Sequence, residues 1–320
     1  MERLPIVLDV DTGVDDACAL LLAARHPGLD LRAVTCVAGN ADVEQVVANT
    51  LTVLDVAGRP DVPVARGAHR PLLEPAREAR HVHGDDGMGD LSWPPSGRAA
   101  DPRHAVELLR DVLASAVAGG ERLTLVPLAP LTNVALMLRM YPEAAAGLER
   151  IVFMGGAALV GNATAAAEFN VWHDPEAAAV VLDAAATLGI PTTMYGLDVF
   201  YDVRITLAQA AALAVSDQPS ARLAGQLIAF QCERFGEESA TIGDAGAVCA
   251  VVDPAGLTTK RLPVRVELAG SWTRGQTVVD QRDADLDHAH DPHGLAPAML
   301  DVALGVDAAR YAGLWLAAVG

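Results

Sequence analysis

The sequence predicts an α/β protein with a mostly parallel central sheet and helices on both faces, a Rossmann-like arrangement. Short apolar or β-branched segments alternate along the chain with segments of helical periodicity, the pattern of strands joined by covering helices. Hydrophobic residues make up 52% of the chain, which is enough for a sizeable core. No internal repeat, low-complexity segment or linker interrupts this alternation, so one domain, 1–320, is expected.

Five strands and four helices are predicted in order. The strands cover 6–10, 31–37, 123–126, 151–154 and 192–195. The helices cover 43–57, 105–117, 131–138 and 175–186; the first follows Asp42, a candidate N-cap, and the second follows "DPRH". Parallel strands of this kind bind ligands at their carboxyl ends, where strand order reverses, so functional residues are expected just after the strands.

Net charge, apolar runs and cysteine spacing exclude several classes of partner and site. The formal net charge of −18 argues against nucleic acid or an anionic membrane surface as a partner. No apolar run reaches the ~18 residues of a membrane span, and the N-terminus "MERLPIV" has no signal-peptide pattern. The cysteines contain no CxxC motif, which predicts neither a disulfide framework nor a zinc site and favours a reducing cytoplasm; they are Cys18, Cys36, Cys232 and Cys249.

Two segments depart from the alternation. Residues 77–97 are rich in Gly, Pro and His with little periodicity, which predicts a long functional loop. Residues 280–294 are acidic and His-rich. His288, His290 and His293 suggest either a metal site or a solvated loop, and the composition favours the loop.

Four aspartates are crowded where the first predicted strand meets a helix, in "PIVLDVDTGVDD". Asp9, Asp11, Asp15 and Asp16 have no lysine or arginine between them. Carboxylates this close repel one another, and burying them is unfavourable unless something positive neutralises their charge. A cation is therefore expected beside them.

Three structural interpretations of the aspartates differ in how many of them they explain. A helix–loop–helix calcium loop needs Asp or Asn at its fifth position and Glu at its twelfth, where this chain has Gly13 and Leu20. Helix capping by Asp15 and Asp16 leaves the first two aspartates unexplained. The third interpretation is a hard cation, because oxygen ligands at a strand end without an adjacent Cys or His suit Ca²⁺ or Mg²⁺. Asp11 and Asp16 could reach one ion across the turn, and a spare carboxylate could take a proton from its water.

An enzyme of a different class shares this opening. An apolar strand ending in "DVDT" also resembles the first motif of haloacid-dehalogenase-like phosphatases, whose first aspartate is the nucleophile and whose second is a general acid. That family needs a lysine before a later acidic motif, for which "GDAG" at 243–246 would stand. The only lysine, Lys260, follows that motif, which argues against a phosphatase.

Five further motifs occur in order along the chain. "VAGNA" places Asn40 after the second predicted strand, and "VPLAPLTNVAL" follows the third. "FMGGA" leads into "NATAAAEFNVWHDPEAA", and "GDAGAVCAVVDP" and "GSWTRGQTVVD" come later. Together with the aspartates they resemble the nucleoside hydrolases, the inosine–uridine type of N-ribosyl hydrolase, over nearly the whole chain.

The resemblance implies a calcium ion at the carboxyl end of the sheet that binds the attacking water and two ribose hydroxyls. It implies that Asp11 is the general base and a calcium ligand, and that Asp16 is a bidentate ligand. Asp244 and the backbone carbonyl of Leu128 would complete the ligand set, with Asp9 supporting it from behind. The positions that match ribose contacts, and one that matches the base pocket, are Asp15, Asn40, Asn162, Glu168, Asn170 and His83.

The implied reaction is hydrolysis of the N-glycosidic bond of a ribonucleoside. Positive charge develops on the ribose ring as the bond breaks, and an anionic cluster stabilises it while a positioned water captures it.

Three features depart from the family pattern. Val10 and Thr12 stand where the usual opening has Thr and Pro, the His-rich stretch 286–294 is longer than expected, and the third departure concerns the leaving group. Gly243 stands where some members carry a His that protonates the departing base and others a Trp that stacks on it. A helix bearing Phe230, Gln231, Arg234 and Phe235 would line the base side. Without an acid at position 243, a nucleoside-binding protein that lacks turnover is the alternative function. The resemblance also implies a homodimer or homotetramer.

Overall fold

A computed structural model describes residues 3–282 and 297–320, and its main feature is a nine-stranded sheet. The strand order is β10-β9-β11-β6-β5-β4-β1-β2-β3, and β7 and β8 form a separate antiparallel pair. His288, His290 and His293 lie outside the described residues. The strands are β1 (Leu4–Val10), β2 (Leu29–Cys36), β3 (Val64–Arg66), β4 (Leu123–Pro127), β5 (Leu148–Met154), β6 (Thr192–Tyr195), β7 (Arg204–Thr206), β8 (Ser239–Thr241), β9 (Leu257–Val266), β10 (Thr277–Val279) and β11 (Ala298–Val306).

The α-helices lie between these strands, and each predicted helix is found within about two residues of its predicted bounds. None of the described helices combines the length and the apolar character that crossing a membrane requires. The helices are α1 (Val14–Arg25), α2 (Val43–Val56), α3 (Arg80–His83), α4 (Ala105–Ala118), α5 (Thr132–Met140), α6 (Phe169–His173), α7 (Pro175–Leu188), α8 (Leu197–Phe200), α9 (Leu207–Ala214), α10 (Pro219–Phe235), α11 (Ala245–Val252) and α12 (Ala308–Val319).

The predicted fold class is confirmed. From β11 through β6, β5, β4, β1 and β2 to β3, every neighbouring pair is parallel. The antiparallel edge of β9 with β10 and β11 was not predicted. Because β9 reads LTTKRLPVRV, with four of its ten residues exposed and only two buried, it lacks the apolar run that marks the inner strands.

Side chains of the inner strands alternate between two apolar cores, one on each face of the sheet. Ile6, Leu8 and Val10 of β1 enter the core formed with α1, α2, α10, α11 and α12. Val7 enters the opposite core, formed with α4, α5 and α7. Helices therefore cover both faces, as the sequence predicts.

The strand order reverses beside β1. The chain runs from β1 outward through β2 to β3, then crosses to β4 on the other side of β1 and continues outward through β5 to β6. The carboxyl ends of β1 and β4 lie side by side, since Asp9 is paired with Pro127. Residues that follow these strands therefore meet at one edge, which is where ligands bind in open parallel sheets.

Candidate active site

A cavity of about 650 Å³ lies at this edge. Most of the predicted site residues contribute to its wall, whereas Asp11 and Asp16 are fully buried and contact Asn40, which lines it. The predicted residues in the wall are Asp15, Asn40, His83, Leu128, Asn162, Glu168, Asn170 and Asp244.

Three carboxylates form a compact cluster at the cavity floor. Asp15, Asp16 and Asp244 each offer one oxygen, and these oxygens lie within 4.8 Å of one another. Among the described residues none of the three forms an ion pair with a lysine or arginine. Burial raises the pKa of Asp16 to about 7, and burial together with the charges of Asp15 and Asp16 raises that of Asp244. A cation would relieve both effects, so the donor set fits a hard, oxygen-binding ion.

The two carboxylate oxygens of Asp11 differ in their hydrogen bonding. The backbone N–H of Asn40 donates to Oδ2 at 2.8 Å, and Oδ1 is buried with no hydrogen-bond partner among the described residues. Burial, and then the charge of Asp16, raise the pKa of Asp11. The cluster within 4.8 Å contains Asp15 rather than Asp11, which differs from the expected ligand set.

The turn from β1 into α1 fixes Asp16. Its Oδ2 accepts the N–H of Gly13 at 2.9 Å and the side-chain amide of Asn40 at 3.2 Å. Its Oδ1 accepts the N–H of Asp11 at 3.3 Å. One carboxylate thus satisfies backbone donors at the start of the helix and links two segments of the site.

Asp9 is fully buried in a network of hydrogen bonds from neighbouring elements. The hydroxyl of Thr35 and the side-chain amide of Asn133 both donate to its Oδ1, at 2.6 and 2.8 Å. Burial raises the pKa of Asp9 to about 7 although these two donors lower it. Sequence reasoning assigned no role to Asn133, whose only signal was its place in the "PLTNVAL" motif.

Glu168 and Asn170 are positioned by the start of α6. Glu168 caps this helix, with Oε1 accepting the N–H of Asn170 at 2.8 Å and Oε2 accepting that of Gly156 at 2.9 Å. The amide of Asn170 donates to the carbonyls of Leu128 at 2.9 Å and Met154 at 3.2 Å. These bonds direct its NH₂ toward the strand ends and leave its Oδ1 for another partner. Burial raises the pKa of Glu168 to about 7.

His83 and Asn162 lie in two loops that border the cavity. Nδ1 of His83 accepts the N–H of Val14 at 3.2 Å and lies 3.7 Å from Asp15 Oδ1. Burial lowers the pKa of His83, so its ring is neutral at pH 7. Asn162 is exposed, and its Oδ1 accepts the N–H of Phe169 at 2.9 Å.

Several residues of the wall were not expected from the sequence. Phe200 and Tyr201 lie just after β6, and the rule that ligands meet strand ends could have identified them. Of the expected base-side helix, Gln231 and Phe235 line the cavity, whereas Phe230 does not. The further unexpected residues with side chains suited to ligand contact are Arg77, Trp172, Arg204 and Thr241.

The fold is that of known nucleoside hydrolases. Residues 6–312 match the family model described as inosine-uridine preferring nucleoside hydrolase. The enzyme of that name from Leishmania major is 42% identical over 282 residues, covering 87% of this chain and 88% of that protein. The pyrimidine-specific ribonucleoside hydrolase RihA of Photobacterium profundum is 39% identical over 282 residues, covering 87% and 89%. A plant nucleoside hydrolase structure superposes with a TM-score of 0.89 at 29% identity, covering 99% of each chain.

These matches define the class, an N-glycosyl hydrolase of the α/β type. The chain belongs to the inosine-uridine preferring nucleoside hydrolase family, whose members cleave N-glycosidic bonds and depend on a metal. Membership confirms the predicted resemblance, and it favours neither the phosphatase nor a binding protein without turnover.

Proposed function

We propose that this chain hydrolyses the N-glycosidic bond of ribonucleosides to ribose and free base, with Ca²⁺ as cofactor. The observation that carries the proposal is the buried cluster of Asp15, Asp16 and Asp244 next to Asp11, beneath a cavity lined by amides and a carboxylate. Such a site combines negative charge for a cationic transition state with groups that recognise hydroxyls.

Four groups would hold the cation: the carboxylates of Asp11, Asp16 and Asp244 and the backbone carbonyl of Leu128. The mutual repulsion of these buried carboxylates supports this set, and its all-oxygen donors suit a hard cation. Leu128 O already accepts one bond from Asn170, and a carbonyl has a second lone pair to offer. When bound, the ion supplies positive charge that offsets the carboxylates and makes a nearby water more acidic.

Asp11 acts as the general base. Asn40 fixes Oδ2, so the unpartnered Oδ1 accepts a proton from the attacking water. The water oxygen bonds to C1′ of the ribose, and the electron pair of the glycosidic bond leaves with the base nitrogen, which takes a proton from solvent water to give the free base while Asp11 returns its proton to solvent. The carboxylates below the ring stabilise the charge that develops on the sugar.

The ribose hydroxyls are bound by Asp15, Asn40, Asn162, Glu168 and Asn170. Carboxylates accept hydrogen bonds and amides both accept and donate, which suits hydroxyls that do the same. His83, neutral and beside Asp15, borders the base side. A site of this kind rejects 2′-deoxy substrates by up to ~10⁴-fold, because buried polar groups would remain unpaired.

Three broader features remain proposals of ours. Residues 1–320 act as one domain, supported by a sheet that takes strands from both ends of the chain. The protein works in the cytoplasm, supported by four buried, unpaired cysteines. It assembles as a homodimer or homotetramer, which light scattering on the purified protein would decide.

The function is tested by incubating the protein with purine and pyrimidine ribonucleosides and their 2′-deoxy counterparts. Both purine and pyrimidine nucleosides are included because one relative is named for inosine and uridine and another for pyrimidine ribonucleosides. Free base is measured by chromatography and ribose by its reducing end. We expect release from at least one ribonucleoside, little from its deoxy form, and none with excess chelator until Ca²⁺ is restored. Absence of release from every ribonucleoside would contradict the proposal.

A further inference from the structure

Position 243 has no room for a side chain. Gly243 has a φ of 53°, in the left-handed region that favours glycine. A Cβ built on it would lie 2.5 Å from Cβ of Asp15 and 3.0 Å from Cζ of Phe200. The space into which a residue at 243 would project is therefore already occupied, first by the side chain of Asp15 and next to it by the edge of the Phe200 ring.

The Phe200 ring is anchored in that space. Thr241 Oγ1 donates to the carbonyl of Phe200 at 2.6 Å and accepts the N–H of Gly243 at 3.0 Å, so one hydroxyl ties the two positions together. The ring of Tyr201 meets that of Phe200 edge-on, with centroids 5.0 Å apart and an interplanar angle of 83°. Both rings line the cavity.

Phe200 also lies next to the sugar side of the cavity. Its Cζ is 3.0 Å and Asp15 Oδ2 is 3.2 Å from the same built Cβ position, so these two atoms are within about 6 Å of each other. Because a single glycosidic bond joins ribose to the base, a protein group that contacts the base lies within several ångströms of one that contacts the ribose. The Phe200 ring, which lines the cavity, is thus at a suitable distance for contact with an aromatic base.

The hydroxyl of Tyr201 has a hydrogen to donate. Oδ1 of Asn162 accepts the N–H of Phe169, which turns the amide NH₂ toward Tyr201 OH at 3.4 Å. The hydroxyl oxygen is then an acceptor, and its own hydrogen points to another partner. Burial raises the pKa of Tyr201, which keeps the hydroxyl protonated across the physiological range.

We propose that Phe200 and Tyr201 form the nucleobase subsite of this chain: the Phe200 ring packs on the base, and the Tyr201 hydroxyl donates a hydrogen bond to it. Tyr201 keeps its proton throughout, so the pair binds and orients the base without acting as an acid. This inference rests on the proposed hydrolysis of ribonucleosides. It assigns to Phe200 and Tyr201 the contact with the base that Gly243, which has no side chain, cannot make.

The test is inhibition by the two separate products. In the wild type, in Phe200→Leu and in Tyr201→Phe, the inhibition constants of D-ribose and of the free base of the best-cleaved nucleoside are measured. We expect Phe200→Leu to weaken inhibition by the base about tenfold and Tyr201→Phe about fivefold, with inhibition by ribose changed less than about twofold. Phe230→Leu is the matched control, because Phe230 lies against Gly89 outside the cavity; it should change neither constant.

Equal weakening of base and ribose inhibition, or no change in either, would overturn the subsite. If Phe200→Leu does not fold, as judged by its melting curve, Tyr201→Phe decides alone. Should the wild type cleave no ribonucleoside, the proposed function fails. The same comparison is then made by calorimetric titration with the free bases uracil and hypoxanthine and with ribose, so the two failures are distinguishable.

Discussion

The backbone N–H of Asn40 donates a 2.8 Å hydrogen bond to Oδ2 of Asp11, and Oδ1 of the same carboxylate has no partner among the described residues. One oxygen is therefore held by the turn after β2 while the other is left to react. This division depends on Gly39, since a Cβ at that position would lie 2.0 Å from Oδ2. The turn and the carboxylate fit together only when residue 39 has no side chain.

Gly39→Ala is expected to reduce ribose release by about 10²-fold, because the methyl group displaces the Asp11 carboxylate from its position. The steady-state rate at saturating nucleoside checks this. Gly313→Ala is the matched control, since a Cβ there meets no atom within 4 Å in helix α12, and its rate should equal that of the wild type. A Gly39→Ala enzyme of full activity would show that the position of Asp11 is not critical.

Without a cation, the protein should lose stability as the pH rises toward 7, and cation binding should restore most of it. Burial raises the pKa of Asp16 from 3.8 to about 7 and that of Glu168 from 4.5 to about 7. Between the pKa values of the unfolded and folded states, the folded, cation-free protein binds more protons than the unfolded chain. Its free energy of unfolding therefore falls as the pH rises from about 4 to 7. Melting temperatures in chelator should fall over this range, and Ca²⁺ should restore most of the loss at pH 7.

Asp16→Asn is the control for that experiment. It removes one of the titrating carboxylates, so its melting temperature in chelator should depend less on pH and respond less to Ca²⁺. A wild type whose melting temperature in chelator rises from pH 5 to pH 8 would contradict the assignment.

Asn133→Ala should lower both stability and cation affinity. The substitution removes the 2.8 Å donor to Asp9 and leaves a buried carboxylate oxygen with Thr35 alone. We expect a loss of about 1–3 kcal/mol in the free energy of unfolding, measured by urea titration, and weaker calcium binding by calorimetry. If neither quantity changes, Asp9 does not support the site in the way proposed.

His173 should make the protein sensitive to acid. It is buried against Phe169, its two ring nitrogens have no hydrogen-bond partner among the described residues, and burial lowers its pKa to about 4. The unfolded chain binds the proton first, so this contribution is present above pH 6.5 and is lost as the pH falls toward 4. In protein saturated with Ca²⁺, which offsets the opposing contribution of the site carboxylates, His173→Phe should remove on the order of 2–3 kcal/mol of the decline between pH 7 and pH 4. A decline of unchanged size in urea unfolding would contradict this.

The fold could be predicted where the chain is regular and apolar. The inner strands and their covering helices are recognisable because successive residues are apolar: Leu8 is buried on one face of the sheet and Val7 on the other. Strand β9 could not be found this way, since it lies next to the edge strand β10 and only two of its ten residues are buried. The aspartates and asparagines of the site were identified by residue type and by their place after strands.

Two features of the site depend on contacts that sequence position does not reveal. Asn133 reaches Asp9 across 124 residues, and its role is apparent only once β1 and α5 are brought together. The filling of position 243 by Phe200 likewise depends on the approach of two loops 43 residues apart, tied by Thr241. The roles assigned to individual site residues stay predictions until the variants are measured.

The most direct measurement is the rate of ribose release by Asp11→Asn at saturating Ca²⁺ and nucleoside. The substitution keeps the shape of the side chain and an oxygen for the cation but removes the proton acceptor. We expect a rate about 10²–10⁴-fold below that of the wild type, while Asp183→Asn, an exposed control in α7, should stay at the wild-type rate. Release by Asp11→Asn at close to the wild-type rate would show that another group takes the proton, and the proposed mechanism would be wrong.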